Sequence, residues 1–427
     1  MGNDHNHVHT PPGDSPPAPP RVRKILIATV VPLFVLAVVA TALLWPRDTP
    51  GPADAGDATR HGGTVTQVVR EECPAQPETP TGVPTGPCGT VTVRVADGPD
   101  AGKEVTTPIP AGPGAPTVEV GDEVVLVVLT DPDDPAVSEY NIADHQRGQP
   151  LIWLVVLFAA AIVGFGRWRG LAALGGLAAS FAILLIFVLP AIRAGEPPLL
   201  VAVVGAALIM FVVLYLTHGV NTQTSVAVLG TLASLVLTGL LGAGATAATH
   251  LTGYGSEEAT TLSFVQSGVD LHGLLLAGII IGSLGVLDDV TVTQAATVTE
   301  LARANPTLSR LQLYRAATRV GRAHIASTVN TIVLAYAGAS LPVLLLIVAA
   351  GQQVTNTLTS EFIAQEIVRS AVATMGLIAA VPITTALAAM VTVVGGGSSR
   401  RQRKHRPRGD DDEALAALSR GRRPLSS

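Results

Sequence analysis

Long apolar segments, separated by short polar loops, dominate the chain. The first of them, residues 25–45, is 21 residues long and carries no charge, which is enough for a helix to cross a hydrocarbon core of about 30 Å. The pattern predicts a polytopic α-helical membrane protein with about eight transmembrane helices. The predicted spans are 25–45, 151–167, 171–192, 199–217, 224–244, 274–294, 326–350 and 370–394, which give a first transmembrane helix within 21–48 and a seven-helix domain at 151–395.

Residues 50–150 have a different pattern, with short alternating segments between glycine- and proline-rich turns. The segments "GTVTQVV" (63–69), "GTVTVRVA" (89–96) and "GDEVVLVVL" (121–129) have the composition and boundaries of β-strands. About five such strands predict a small all-β domain, for which an OB-like barrel is one arrangement.

Basic residues flank the spans unevenly, and this asymmetry predicts the orientation of the chain. The segment "RVRK" (21–24) precedes the first span, five arginines lie within 303–322, and "SSRRQRKHRPR" (398–408) follows the last span. The 245–273 loop, in contrast, contains no lysine or arginine. With eight spans, both termini would be cytoplasmic and residues 50–150 extracytoplasmic.

Both ends of the chain lack an apolar period and are predicted to be disordered cytoplasmic tails, at 1–20 and 396–427. The first tail contains "HNHVH", in which His5, His7 and His9 are weak candidates for metal ligands. A solvated tail without a metal is the simpler interpretation.

The first span could be a retained signal anchor or a cleaved signal peptide. The residues at 40–42, Ala-Thr-Ala, offer a possible cleavage site. The apolar run nevertheless continues to Trp45, an interface anchor, which favours retention.

The two cysteines of the chain, Cys73 and Cys88, both fall in the predicted β domain. An extracytoplasmic location is oxidising and favours a disulfide between them. Such a bond would close a short proline-rich loop and contribute on the order of 3 kcal/mol. Two free buried thiols are the alternative.

The composition narrows the class of protein. Hydrophobic residues make up 48% of the 427 residues and charged residues 14%, with a net charge of −5, whereas soluble domains contain about 25% charged residues. The negative charge, with no basic groove bearing aromatic residues, argues against a nucleic-acid partner. The sequence has no GxxxxGK[ST], GxSxG, HExxH or CxxC motif, so we expect neither an enzyme nor a cofactor. The abundance of arginine, alanine and glycine indicates a GC-rich bacterial genome and hence a bacterial plasma membrane.

Two adjacent aspartates, Asp288 and Asp289, follow the apolar stretch "AGIIIGSLGVL" (277–287) of the sixth span. At 1.5 Å per residue, Asp289 lies ~22 Å from Leu274 along the helix, inside the membrane. A carboxylate at the centre of a bilayer costs about 2.5–3.5 kcal/mol without compensation. We therefore expect these side chains to face protein, water or an ion rather than lipid.

The helical period places Asp289 on one face with three glycines and several hydroxyl groups. Glycines allow a neighbouring helix to approach closely, so this face is predicted to be a packing surface that continues as a polar lining. Asp288 lies about 100° away, and we expect Asp289 to be the more important carboxylate. The residues of the Asp289 face are Gly278, Gly282, Gly285, Asp289, Thr293, Ala296, Thr297 and Glu300.

Other polar residues could converge on the two aspartates. The seventh span contributes Asn330 and Thr331, and we expect Asn330 at a depth similar to that of Asp289. Asn221 lies in the connection between the fourth and fifth spans, on the same side of the membrane. The predicted substrate or ion pathway consists of Asp288, Asp289, Thr293, Thr297, Asn330, Thr331 and Asn221.

Three motifs resemble the YibE/F-like family of bacterial multipass membrane proteins. They are "GVLDDVTVTQAATVTEL" (285–301), "GRAHIASTVNTIVLAYAGASLP" (321–342) and "EIVRSAVATMGLIAAVPITTALAA" (366–389), and the asparagine–threonine element of the second is the most specific. The resemblance covers residues 60–395, including the extracytoplasmic region, and excludes both tails. It implies a multipass topology and assigns no substrate.

Two kinds of function fit the aspartates. A permease or channel-like protein would use them as an ion or proton site, because intramembrane carboxylates often mark such pathways. A non-transporting assembly partner or envelope sensor would use them as a polar clamp between helices. An intramembrane enzyme is the least favoured class, since neither a nucleophile nor a set of metal ligands accompanies the carboxylates. The expected partners are the lipid bilayer and an ion or small solute.

Overall fold

The computed structural model describes most of the chain between residues 19 and 392. It divides into two compact units, which are Pro50–Leu174 and the combination of Met1–Thr49 with Gly175–Ser427. The predicted metal ligands His5, His7 and His9 lie outside the described residues, as does Cys73. The described ranges are 19–47, 59–71, 87–112, 114–130, 138–266, 268–349, 356 and 358–392.

The unit Pro50–Leu174 contains an antiparallel sheet. Its five strands are β1 (Thr59–Glu71), β2 (Cys88–Val95), β3 (Glu104–Pro108), β4 (Glu123–Thr130) and β5 (Ser138–His145). Their order is β3-β2-β1-β4-β5, so the long strand β1 is central and β3 and β5 are the edges. The two edge strands also contact each other. A small antiparallel sheet formed by the alternating segments is therefore confirmed, while the OB-like arrangement stays a prediction.

Apolar side chains alternate with polar ones along the strands, and the apolar side chains form the core beneath the sheet. Val91 and Val93 of β2 and Leu126 of β4 are fully buried, as the two-residue period of a strand requires. Gly89 has a φ of +132°, and a Cβ there would lie 2.0 Å from the carbonyl oxygen of Val69. Another residue at this position would therefore disturb the pairing of β1 with β2.

Cys88 is the first residue of β2 and is disulfide-bonded. It pairs in register with Glu71, the last residue of β1, so the segment between these strands starts and ends at neighbouring positions. The other cysteine of the chain, Cys73, lies outside the described residues. The Cys73–Cys88 pairing itself stays a prediction.

The remaining described elements are helical, as the apolar segments predict. They are α1 (Pro20–Leu43), α2 (Gly148–Gly166), α3 (Trp168–Ile183), a π-helical turn (Leu184–Val188), α4 (Leu189–Arg193), α5 (Pro198–His218), α6 (Thr222–Ala248), α7 (Glu257–Val265), α8 (Leu271–Ala304), α9 (Arg310–Ala339), α10 (Leu341–Ala349) and α11 (Glu361–Val391).

Six helical stretches in the described part of the chain are long and apolar enough to cross a membrane. These six helical stretches confirm that the protein is a multipass α-helical membrane protein. The count of about eight spans stays a prediction. The two counts differ in the regions of α2–α4 and α9–α10. The six stretches are Pro20–Leu43, Gly148–Arg193, Pro198–His218, Thr222–Ala248, Leu271–Ala304 and Glu361–Val391.

The predicted second and third spans fall together in the 46-residue stretch Gly148–Arg193. Arg167 interrupts this stretch with a φ of +52°. A Cβ at Gly170 would lie 2.3 Å from the carbonyl oxygen of Ile162, although eight residues of continuous helix would separate the two levels by about 12 Å. The chain therefore turns back between α2 and α3, as two separate spans require.

The predicted seventh span, 326–350, is divided between α9 and α10. The two helices meet at Ser340, whose backbone N–H donates to the carbonyl oxygens of Gly338 and Tyr336. Helix α9 begins at Arg310, well before the predicted span, and carries polar residues along its length. For this reason it does not qualify as a spanning helix by apolarity alone.

Helix α8 is central to the bundle, since it contacts α5, α6, α9 and α11. Helices α6 and α11 approach closely at two glycines. A Cβ at Gly230 would lie 2.3 Å from Thr384 Oγ1, and a Cβ at Gly376 would lie 2.0 Å from Thr238 Oγ1. Small residues of this kind let membrane helices pack backbone against side chain, and here they bring hydroxyl groups into the interior.

Candidate functional site

The two aspartates lie near the middle of α8, the longest helix of the described chain at 34 residues. Asp270 caps its N-terminus by accepting a hydrogen bond of 2.9 Å from the backbone N–H of Gly273. Asp288 lies ~26 Å from the start of the helix at 1.5 Å per residue, which is inside a bilayer core of about 30 Å.

Asp288 and Asp289 have different surroundings. Asp288 is half-buried, and its Oδ1 atom is buried without a hydrogen-bond partner among the described residues. Asp289 is exposed. No described helix of the same chain packs against Asp289, contrary to the prediction, because the packed side of α8 includes Leu287, Val290 and Thr291 and lies on the other side of the helix.

The three glycines predicted to pack against a neighbour share the open face of α8 with Asp289. Gly278 and Gly285 are exposed, and a Cβ at either would have no described atom within 4 Å. A Cβ at Gly282 would lie 3.5 Å from the hydroxyl oxygen of Tyr336 in α9. Apart from that contact, the described part of this chain does not form the predicted packing surface.

In the described part of the chain, the polar residues predicted to lie beside Asp289 form no hydrogen bond with it. Thr297 Oγ1 donates to the carbonyl oxygen of Thr293 at 2.8 Å, so these two form a contact within α8. Asn330 is exposed and lies two residues before the buried Ile332, on the opposite side of α9.

The remaining predicted pathway residues make local hydrogen bonds. Thr331 Oγ1 donates to the carbonyl oxygen of Ser327 within α9 at 3.1 Å. Asn221 is the N-cap of α6, since its Oδ1 accepts from the backbone N–H of Thr224 at 2.8 Å. Its Nδ2 donates to the carbonyl oxygen of His218, also at 2.8 Å. The side chain of Asn221 thus caps a helix, and its place in a pathway stays a prediction.

The structure instead brings together polar side chains from α6, α8 and α11 that are almost completely buried. Thr231 Oγ1 of α6 lies 2.6 Å from Thr291 Oγ1 of α8. Gln294 Nε2 of α8 donates to Thr385 Oγ1 of α11 at 2.8 Å. Together with Thr384, these residues are at most 3% exposed. We call Thr231, Thr291, Gln294, Thr384 and Thr385 the buried polar seam.

The threonine pair of the seam has more acceptors than protons. Thr231 Oγ1 lies 3.0 Å from the carbonyl oxygen of Ala227, and Thr291 Oγ1 lies 3.0 Å from that of Asp288. With the contact between the two hydroxyls, three hydrogen bonds compete for two protons. Either hydroxyl can therefore donate to the other, and the choice decides which backbone carbonyl is left without the hydroxyl proton.

Thr384 Oγ1 is a second buried polar atom without a hydrogen-bond partner among the described residues. It lies against Gly230, between α6 and α11. Unpaired buried polar atoms are uncommon in proteins, and ordered water or an ion often explains them. Asp288 Oδ1 in α8 and Thr384 Oγ1 in α11 are thus two buried polar atoms for which the described residues provide no hydrogen-bond partner.

The sequence contains a signal for this seam in the spacing of its polar residues. Thr231, Ser234 and Thr238 recur at helical spacing in the fifth predicted span. Thr291 and Gln294 follow Asp288 at intervals of three residues, on a side of the helix neighbouring the glycine face. The prediction of a pathway around Asp289 missed them, because it followed the carboxylates and glycines rather than hydroxyl and amide groups repeated along one helix face.

The β unit carries a separate polar cluster around Asp97 and Asp100. His61 Nδ1 lies 2.8 Å from Asp97 Oδ1, and this contact, with a hydrogen bond from the backbone N–H of Gly62, lowers the pKa of Asp97. The hydrogen bond from Lys103 is the main cause that lowers the pKa of Asp100, followed by the one from Tyr140. These contacts join β1 and β5 to the β2–β3 turn. No described group of three or more His, Cys, Asp or Glu side chains forms a metal site.

A comparison with known proteins bears on the helical region. A family model described as YibE/F-like protein matches residues 154–393, more than half of the chain. The chain belongs to the YibE/F-like family. The YibE/F-like match includes Asp288 and the whole buried polar seam, but it does not extend over the β strands, so it is shorter than the predicted range of 60–395. No curated protein and no solved structure matches the chain.

Proposed function

We propose that this YibE/F-like protein is a permease or channel-like protein that moves an ion or small solute, with Asp288 as the carboxylate of its pathway. The observation that carries the proposal is the Oδ1 atom of Asp288, which is buried without a described partner near the middle of a spanning helix. Carboxylates at this depth are costly and are usually retained for an ion or proton pathway.

The buried polar seam supports the proposal by extending the polar environment from α8 towards α6 and α11. Its hydroxyl and amide oxygens, with Thr384 Oγ1, which has no described hydrogen-bond partner, could replace part of the hydration shell of a small cation. Asp289, Thr293 and Thr297 lie on the open face of α8 and would belong to the pathway only if that face meets water.

The topology proposed with this function has eight spans, cytoplasmic termini and an extracytoplasmic β domain in a bacterial plasma membrane. The turn at Arg167 supports two crossings within Gly148–Arg193. Contact between the edge strands β3 and β5 supports an OB-like barrel.

The sides of the membrane can be tested with cysteines at two exposed positions that make no described side-chain hydrogen bond. Thr261→Cys lies in the arginine-free connection before α8, and Ala304→Cys lies at the end of α8. In intact cells, an impermeant thiol reagent should label Thr261→Cys and not Ala304→Cys. Labelling of Ala304→Cys would contradict the proposed topology.

The transport role can be tested with purified protein in proteoliposomes, against a panel of monovalent and divalent cations and small neutral solutes. Asp288→Asn keeps the shape of the side chain and removes its charge, so flux should fall at least tenfold while thermal stability stays unchanged. Glu258→Gln, the same change at an exposed position of α7, should leave flux unaltered. Normal flux in Asp288→Asn would exclude Asp288 from the pathway.

A polar clamp in a non-transporting assembly partner or sensor is the second candidate. It is favoured by Gln294, whose Nε2 donates both to the carbonyl oxygen of Ala317 in α9 at 2.9 Å and to Thr385 in α11, so that one side chain ties three helices together. In that case Gln294→Leu should lower the thermal stability, Asp288→Asn should be silent, and the wild-type protein should transport nothing in the panel. Neither candidate is an enzyme.

A further inference from the structure

The open face of α8 is acidic. Asp289 and Glu300 are exposed and lie on the same side of the helix, eleven residues or about three turns apart. Glu300 pairs with Arg303 at 2.6 Å, whereas Asp289 makes no hydrogen bond or ion pair within the described residues. Helix α8 thus exposes the carboxylate of Asp289, which has no described partner, near Gly285, where an added Cβ would have no described atom within 4 Å.

Helix α9 carries the opposite charge on its own exposed surface. Arg315, Arg319 and Arg322 are separated by four and three residues and therefore lie on one stripe of the helix. All three are exposed, and none forms an ion pair with any residue that the structure describes. Among the described residues, Asp289 and the three arginines of the basic stripe therefore have no partner of opposite charge.

The carboxylates of α8 and the arginines of α9 lie at similar heights along the axis of the helix bundle. Gln294 contacts α9 at Ala317 through a hydrogen bond, and a Cβ at Gly321 would lie 2.7 Å from its Oε1. Because α8 and α9 run in opposite directions, Asp289 is level with residues 322–326 and Glu300 with residues 311–315.

Asp289 and Arg322 do not meet within one chain, although they share a level. The two helices touch through apolar residues, with Val286 and Val290 of α8 against Ile332 and its neighbours on α9. The charged groups point outwards instead. This arrangement suits a contact between two chains.

We propose that the α8–α9 surface is the interface of a symmetric dimer, in which Asp289 of each copy pairs with Arg322 of the second copy. A two-fold axis along the membrane normal keeps every residue at its own level and makes the contact reciprocal. Lipid offers no cation at this depth to a carboxylate, and anionic headgroups repel it. The exposed Gly278 and Gly285 leave space for the second copy to approach. This inference is independent of the proposed transport function.

The test uses charge-reversal variants of the full-length protein. Each variant is reconstituted in lipid vesicles at low density, and single-molecule photobleaching counts the chains in each complex. The wild-type chain should be dimeric. Asp289→Arg and Arg322→Asp should each weaken the dimer at least tenfold when expressed alone. Co-expressed with different tags, the two variants should form mixed dimers, since every contact then joins opposite charges.

Restoration in the mixture distinguishes a contact between chains from one within a chain, because neither variant can repair itself internally. Monomeric wild type, intact dimers of the single variants, or failure of the mixture to pair would each overturn the proposal. Should a charge reversal prevent folding, Asp289→Asn provides a milder change, and it should still weaken the dimer.

A steric pair of variants gives a second measurement. Gly285→Leu adds volume to the open face of α8, at a position where an added Cβ has no described atom within 4 Å, and should reduce dimer formation. Gly244→Leu, at an exposed helical glycine of α6 that also has no atom within 4 Å, should leave the dimer unchanged. Equal behaviour of these two variants would count against the interface.

Discussion

The Oγ1 atoms of Thr231 and Thr291 lie 2.6 Å apart in a completely buried contact between α6 and α8. Each hydroxyl also lies within hydrogen-bond distance of a carbonyl oxygen in its own helix. Removal of one hydroxyl therefore leaves the other with a partner, which limits the energetic cost. The contact joins the two helices without depending on a charge.

We expect Thr291→Val to lower the free energy of unfolding only slightly, because hydrogen bonds between membrane helices contribute about 0.6 kcal/mol on average and up to about 1.7. A double-mutant cycle with Thr231→Val should give a coupling energy in that range, measured by denaturation in detergent. Thr299→Val serves as the control, since its hydroxyl donates only to the carbonyl oxygen of Ala295 within α8. Its coupling to Thr231→Val should be close to zero.

The close approach of α6 and α11 at Gly376 leads to a second prediction. Because an added Cβ would lie 2.0 Å from Thr238 Oγ1, Gly376→Ala should destabilise the protein by about 1–3 kcal/mol through overpacking. Thermal unfolding would measure the loss, and Thr238→Ala in the same chain should recover part of it. Gly244→Ala has open space around it and should be neutral or stabilising by up to about 1 kcal/mol. A loss at Gly244 equal to that at Gly376 would contradict the packing argument.

Apolar length and strand alternation predict most of the elements, since both are local properties of the sequence. The segment "GTVTQVV" (63–69) lies inside β1 (Thr59–Glu71), and the predicted sixth span lies inside α8. The sheet order β3-β2-β1-β4-β5 depends on pairings between distant residues, which no local pattern specifies.

The candidate site shows why the arrangement of helices could not be predicted. The helical period correctly separated Asp288 from Asp289, but it could not tell which face of α8 the other helices cover. Glycines predicted packing against the Asp289 face, although the contacts that bury α8 within this chain come from its other side. The polar character of Asn221 likewise did not reveal that its side chain caps α6.

Glu361 leads to a third prediction, at the opposite end of the bundle from the basic stripe. Its Oε1 accepts hydrogen bonds of 2.9 Å from the backbone N–H groups of both Thr252 and Gly253, and one of 3.2 Å from Gln365 Nε2. Glu361→Ala would remove these hydrogen bonds, which are exposed or partly buried, so each loss should cost about 0.5–1.5 kcal/mol at most. We expect faster hydrogen exchange at the amides of Thr252 and Gly253, measured by mass spectrometry.

Two comparisons make that measurement specific. Glu361→Gln retains an acceptor oxygen and should preserve most of the protection at these amides. Glu258→Ala removes an exposed carboxylate in α7 and should not change the hydrogen exchange of Thr252 and Gly253. Unaltered exchange in Glu361→Ala would mean that Glu361 does not hold the loop to α11.

The fourth prediction concerns Tyr140 in β5, whose hydroxyl donates a hydrogen bond to the carboxylate of Asp100. This hydrogen bond, followed by burial and by the charge of Asp100, raises the pKa of Tyr140 from 10.0 to about 12. In the unfolded chain, Tyr140 would ionise with the ordinary pKa of 10.0. The contact therefore stabilises the folded β unit fully below pH 10, and the stabilisation is lost as the pH rises from 10 towards 12.

Alkaline titration of the full-length protein, followed by the ultraviolet absorbance of tyrosinate, can isolate this group. The difference between the wild-type curve and that of Tyr140→Phe should show a single ionisation with a pKa of about 12. In an Asp100→Asn background, the same difference should shift towards 10.0, because the main cause of the raised pKa has been removed. A wild-type difference curve already centred near 10.0 would show that the hydroxyl is not bonded to Asp100 in solution, and with it the link between β5 and the β2–β3 turn would be lost.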